Sequence, residues 1–154
     1  MWVKSSESIT EFVSHLSTGV SSHAVIEGVE FALIDSGISA VAPNLFQQIE
    51  EISGDILNLK YIFITHADFD HVGGIAYFRK KLPNIEIISS PLVAEKLANP
   101  EVKKEIIARN KEAASAIKDN INSDFSITDQ EWSELLQITR VLGESDEVNL
   151  GGDL

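Results

Sequence analysis

Apolar positions in the first third of the chain fall in short blocks of strand length. FVSHLS (12–17), HAVIEG (23–28) and EFALIDSG (30–37) are rich in Val, Ile and Phe and are punctuated by Gly19, Gly28 and Gly37. That pattern predicts strands joined by turns, with a hairpin at the EGVE step between Ile26 and Phe31. The period then changes. In ISAVAPNLFQQIEEIS (38–53), Leu45, Ile49 and Ile52 share one side of a helix, and Pro43 sits in its first turn, where proline is tolerated. KYIFIT (60–65) is an apolar run closed by Thr65, suited to a strand buried on both faces. GGIAYFRKKL (73–82) reads as a helix ended by Pro83-Asn84, and IEIIS (85–89) as a strand. SPLVAEKLANP (90–100) reads as a short helix with Ser90 as N-cap and Pro91 at its first position. Helical spacing with alternating charge runs from Glu101 to about Ile121. ITRVLG (138–143) predicts a strand, and DEVNLGGDL (146–154) a strand leading into a turn.

The order β-β-β-α-β-α-β-α-α-β predicts a mixed α/β layered fold, with residues 1–154 forming a single domain. The inner strands are apolar on both faces, so the sheet is expected to need cover on both sides. No repeat, low-complexity tract or linker interrupts the chain.

One stretch carries candidate chemistry. In YIFITHADFDHVGG (61–74), His66, Asp68, Asp70 and His71 follow an apolar strand and precede Gly73 and Gly74. A strand that ends in a tight loop presents several side chains from a rigid base. His66 and Asp68, two apart, can point the same way on extended backbone. Asp70 and His71 are neighbours that would usually diverge, so the four could serve two ions, or one ion from a turned loop. The paired glycines permit a sharp turn and close packing at the helix start. Imidazole and carboxylate suit Zn²⁺, Fe or Mn²⁺ better than Mg²⁺. The plainer alternative is a loop whose Asp and His side chains cap the following helix. The chain has no cysteine, so thiolate sites and disulfides are excluded and any metal must use His, Asp or Glu.

THADFDHVGG resembles the metal motif of the metallo-β-lactamase superfamily, usually T-H-x-H-x-D-H-x-G-G. FALIDSG (31–37) is similar to that family's second landmark, an apolar strand ending in Asp-Ser/Thr-Gly. The resemblance implies an αββα sandwich with a site for two divalent metal ions at one edge, Zn first and Fe or Mn as alternatives. His66 would be a ligand of the first ion, Asp70 and His71 of the second, and Asp35 would hold the loop without binding metal. A metal-activated hydroxide would be the nucleophile, with Asp70 able to orient it.

Two departures stand out. Asp68 replaces a usual histidine; as a ligand it adds negative charge and favours a harder ion, as in the flavodiiron branch, which has Glu there. No histidine follows His71, although the family needs later ligands including a His in a GHT-like segment. The chain is therefore expected to be the N-terminal half of a longer domain and inactive by itself; a complete natural short form is the alternative.

Composition narrows the functions. Twelve Lys and Arg against 24 Asp and Glu give a formal charge of −12, which disfavours nucleic acid as a partner. The N-terminus carries no signal-like apolar core, and no apolar run has spanning length. The expectation is a cytoplasmic protein without membrane attachment. The leading function is metal-dependent hydrolysis of an ester, thioester, lactone or phosphoester, with a flavodiiron-like oxidoreductase or a non-catalytic scaffold as alternatives. The half-sandwich would expose an apolar sheet face, so a homo-oligomer is expected. His15 and His23 are read as strand residues at a sheet edge or surface, and Trp2 and Trp132 as packing residues. FSITDQEWSELL (125–136) is read either as a wall of the substrate pocket or as a helical cap starting at Thr128 or Asp129.

Overall fold

A computed structural model describes residues 5–117 and 127–152. Seven strands form one sheet in chain order: β1 (Ser5–Thr10), β2 (Val13–Ser17), β3 (Ser22–Glu27), β4 (Phe31–Ile34), β5 (Leu59–Ile64), β6 (Glu86–Ser89) and β7 (Arg140–Val141). β1 to β4 pair antiparallel through short turns, including the expected hairpin at 28–30. From β4 onward the pairing is parallel, because each connection now contains a helix. The helices are α1 (Ala42–Ser53), α2 (Phe69–Val72), α3 (Ile75–Lys81), α4 (Pro91–Ala98), α5 (Pro100–Ile117) and α6 (Asp129–Leu135), with a 3₁₀ turn at Ile56–Asn58.

Local chemistry explains the helix ends. Ser90 accepts a bond from Val93 N at 3.5 Å at the start of α4, and Pro43 lies in the first turn of α1. α1 stops at Gly54, whose φ of 69° is the left-handed conformation that glycine adopts at helix C-termini. α6 opens with a reciprocal capping box between Thr128 and Glu131. That supports reading 125–136 as a cap, although Phe125 and Ser126 lie outside the described residues, as do Trp2 and the end of the expected 101–121 helix beyond Ile117.

The buried side chains of all six helices enter one cluster with Leu16, Val25, Leu33, Ile62, Ile64 and Ile87 of the sheet. Trp132 is part of it. Among the described residues, then, the helices cover one face of the sheet. The other face carries two cross-strand rows: Val13–Ile26–Ala32–Tyr61–Glu86 and His15–Ala24–Ile34–Phe63–Ile88–Arg140. Ala32 and Ile88 are fully buried there by their neighbours, while Ile26, Ile34 and Phe63 stay half-buried. The architecture is one helix layer on one sheet, half of an αββα sandwich.

Three expectations need correction. The first strand was not anticipated: β1, SSESIT, has one apolar residue and is held by pairing along β2 rather than by burial. The 146–150 stretch is not a strand; it runs as a loop that buries Leu150 and gives one carbonyl to Glu30 N at 2.7 Å. The strand expected at 138–143 shrinks to two residues, because only Arg140 and Val141 are in register with β6.

Candidate metal centre

Parallel pairing brings the two landmark motifs side by side. Ile34 of β4 lies opposite Phe63 of β5, so Asp35 emerges next to Thr65. Asp35 N donates to Phe63 O at 2.8 Å, and its φ of 58° makes it the non-glycine residue with positive φ among those described. The bend turns its carboxylate back over the end of β5. There it accepts from Thr65 N at 2.9 Å, Thr65 Oγ1 at 2.7 Å and His71 Nδ1 at 2.8 Å. Ser36 donates to the His71 carbonyl through both N (2.7 Å) and Oγ (2.8 Å), and the Gly37 carbonyl accepts from Gly74 N at 2.8 Å. Each residue of the Asp-Ser-Gly triplet thus grips the other motif. This agrees with Asp35 holding the loop.

The hydrogen bonds determine which nitrogens remain available. A carboxylate can only accept, so the proton of the His71–Asp35 bond sits on Nδ1. Thr65 Oγ1 spends its proton on Asp35, so its 3.0 Å contact with His66 Nδ1 is a bond donated by His66. Both rings therefore carry their proton on Nδ1 when neutral and expose the Nε2 lone pair. Each Nε2 faces a carboxylate beyond normal hydrogen-bond length: His66 to Asp68 at 3.6 Å, and His71 to Asp70 at 3.7 Å. The two ring centroids lie 3.6 Å apart. A lone pair facing a carboxylate is unfavourable unless a proton or a cation lies between them. The donor set therefore fits a divalent metal. Yet among the described residues no three such side chains converge as a metal site requires.

His66, Asp68, Asp70 and His71 do gather at the C-terminal end of β5, as their spacing suggests. The capping alternative fails for Asp68. It occupies the N-cap position of α2, but its carboxylate accepts no capping bond. Gly73 and Gly74 meet one half of the expectation, close packing, and not the other, a sharp turn. Their φ values, −61° and −81°, are open to any residue, so no special turn is involved. They are small because the backbone is crowded: a Cβ on Gly74 would lie 2.2 Å from Ser36 O, and one on Gly73 2.1 Å from Asn110 Oδ1. Asn110, fully buried on α5, also clasps Ser39 through both ends of its amide at 2.8 Å.

His23 was misread as an edge or surface residue. It is 7% exposed, on the helix-covered face of β3. Its Nδ1 donates to the Asp35 carbonyl at 3.2 Å and its Nε2 accepts from Ser21 Oγ at 2.7 Å, so it braces the bend that aims the Asp35 carboxylate. Burial is the largest influence on its pKa and lowers it, which favours the neutral ring with Nε2 accepting from Ser21 Oγ. Its apolar neighbours at alternating positions were the available signal, since they put His23 in phase with Val25. His15 lies on the uncovered face, opposite Glu7 and Ala24.

A cleft of about 480 Å³ opens beside the cluster. Asp35, His23, Asp70 and His71 line it with Ser21 and Ser22, and Val20, Ile38, Phe69, Ala113, Ala116 and Ile117 complete the described lining. The wall comes from α5. Residues of α6 line a separate groove with Pro100, Lys104 and Lys111, so the pocket-wall reading of 125–136 does not apply to this cleft.

The paired motifs, their strand order and the single-sided helix layer define half of a metallo-beta-lactamase-type sandwich. The chain belongs to the metallo-beta-lactamase superfamily, whose profile matches residues 18–145. It is 37% identical over 71 residues to ribonuclease J of Mycoplasma genitalium, a match covering 46% of this chain and 12% of that protein. Among solved structures it is similar to a B3 metallo-beta-lactamase described as having an active-site glutamic acid, at 25% identity and a TM-score of 0.55. That match covers 61% of this chain and 36% of the other. A subclass B3 metallo-beta-lactamase of Bradyrhizobium japonicum matches 97% of this chain with a TM-score of 0.63; at 16% identity it shows the fold alone. The chain spans half of that lactamase's length. Among the described residues no helix is long and apolar enough to cross a membrane.

Proposed function

We propose that this chain carries one side of a divalent-metal hydrolase centre. His66 and Asp68 would serve one ion, Asp70 and His71 the other, with Zn²⁺ first and Fe or Mn²⁺ as alternatives. The observation that supports this best is the common tautomer of His66 and His71, which turns both Nε2 lone pairs toward carboxylates. When bound, the ions would supply positive charge and a water acidified to near neutral pH, for attack on an ester, thioester, lactone or phosphoester. Asp70, beside His71 Nε2, would orient that water and take its proton, while Asp35 and Thr65 keep the imidazoles aligned. One similar lactamase is described as having an active-site glutamic acid, so an extra carboxylate in such a site is compatible with hydrolysis.

Further ligands would have to come from outside the described residues, so the chain alone is expected to bind metal weakly and to turn nothing over. Titration with Zn²⁺, and with Co²⁺ followed by visible absorption, should show binding that His66→Ala and His71→Ala each weaken at least tenfold. Binding unchanged by both substitutions would refute the assignment. Zn²⁺-dependent ester turnover by the chain, abolished in His66→Ala, would show that the described donors suffice.

The uncovered sheet face supports a second proposal, that two copies pair through it. Ile26, Ile34 and Phe63 form a contiguous apolar strip there, and apolar area left in water costs ~25 cal/mol per Å². Sedimentation at micromolar concentration is expected to give a dimer or larger species that Phe63→Lys returns to monomer. A folded wild-type chain that stays monomeric would exclude this.

A further inference from the structure

We propose that the cleft beside His71 receives the uncharged acyl or alkyl arm of an ester, thioester or lactone. This rests on the hydrolase reading above and narrows it.

The cleft brings unlike groups together. Asp70 and His71 mark the reacting centre, Ser21 and Ser22 add hydroxyls, and Val20, Ile38 and Phe69 share the lining with Ala113, Ala116 and Ile117 of α5. Positions 113, 116 and 117 share one helix face by their spacing, and the alanines at two of them create the room. The volume, about 480 Å³, lies within the ~300–1,000 Å³ typical of small-molecule pockets.

Charge decides the kind of arm. None of the described residues lining the cleft is Lys or Arg. Arg109, on the same helix, is stacked on the Phe69 ring at 4.9 Å and is not part of the lining. The described ionisable groups that line it are Asp35, Asp70, His23 and His71, on or beside the residues that would hold the ions, so the apolar remainder of the lining suits an uncharged arm. A polynucleotide would further require a basic track along its backbone, and the whole chain carries −12. The 37% match to a ribonuclease J makes that alternative concrete. The apolar part of the cleft lining favours an uncharged arm over it.

The test uses the full metal-free chain, so binding is read independently of catalysis. Butanamide, hexanamide and octanamide are titrated while side-chain NMR signals of Phe69, Ala113 and Ala116 are followed. Affinity is expected to rise two- to fourfold per added methylene, the range set by ~0.8 kcal/mol per buried CH₂. Hexanoate should bind at least tenfold more weakly than hexanamide. Ala116 is exposed, so Ala116→Leu should fold normally; an unchanged melting temperature with at least a tenfold loss of octanamide affinity is expected. Amides that shift none of these signals, or dimethyl phosphate or a short single-stranded RNA binding the same residues more tightly, would overturn the proposal. Amide binding without any metal binding would leave the cleft assignment standing and remove the hydrolase reading. Metal binding without amide binding would do the reverse.

Discussion

Asp35→Ala is expected to destabilise the fold by about 3–5 kcal/mol, a large share of the ~5–15 kcal/mol that holds a domain together. The carboxylate accepts from Thr65 N, Thr65 Oγ1 and His71 Nδ1, and the residue is 8% exposed. Removing it takes the acceptor from the Thr65 amide and the His71 ring proton; a fully buried unpaired donor costs about 1–3 kcal/mol, and these two, exposed and half-buried, fall in the lower part of that range. Alanine would also have to hold a φ of 58°, at roughly 1–2 kcal/mol. Asp35→Asn tolerates the left-handed bend and keeps one acceptor, so about 1–2 kcal/mol is expected. Urea denaturation measures both. A loss below 1 kcal/mol for alanine would mean that water replaces the carboxylate, and that Asp35 does not organise the loop.

Gly74→Ala is expected to cost about 3 kcal/mol, the upper end for forcing atoms into a packed interior. The backbone at Gly74 is ordinary, with φ −81°, so alanine there would gain a few tenths from lost chain entropy. The penalty comes from contact alone: the added Cβ would lie 2.2 Å from Ser36 O, a backbone atom that cannot rotate aside. Relief requires parting the Asp-Ser-Gly turn from the metal loop, so His71 should lose its protected Nδ1 proton in the same variant. Gly54→Ala is the contrast. Its φ is 69°, but nothing lies within 4 Å of its Cβ, so only about 1 kcal/mol of backbone strain is expected. Thermal melts that rank Gly54→Ala as the more damaging would overturn the crowding explanation.

Much of the site was legible because it is local. Four donors within six residues behind an apolar strand can hardly avoid meeting, and the pairing of DSG with the HADFDH loop was implied by resemblance alone. His23 was illegible for the opposite reason. Its partner is the Asp35 carbonyl, twelve residues away across a hairpin, and no local pattern marks a backbone acceptor. The cleft wall was hidden likewise. Ala113 and Ala116 look like ordinary helix formers until α5 lies against the metal loop, where Asn110 clasps Ser39 and closes on Gly73.

By itself the sequence determined the period of each long element, the cap at Ser90, a second cap at Thr128 or Asp129, the absence of thiolate chemistry and the gathering of His66, Asp68, Asp70 and His71. All of these depend on neighbours along the chain. It could not determine β1, whose six residues are held by pairing rather than by apolar content, nor the loop at 146–150, where burial of Leu150 replaces the strand that its alternation suggested. Only the tertiary structure decided which imidazole nitrogen is free at His66 and His71. That depends on Asp35, Thr65 and the histidines meeting across two parallel strands, and the tautomer follows from that meeting because a carboxylate can accept a proton's bond but cannot donate one.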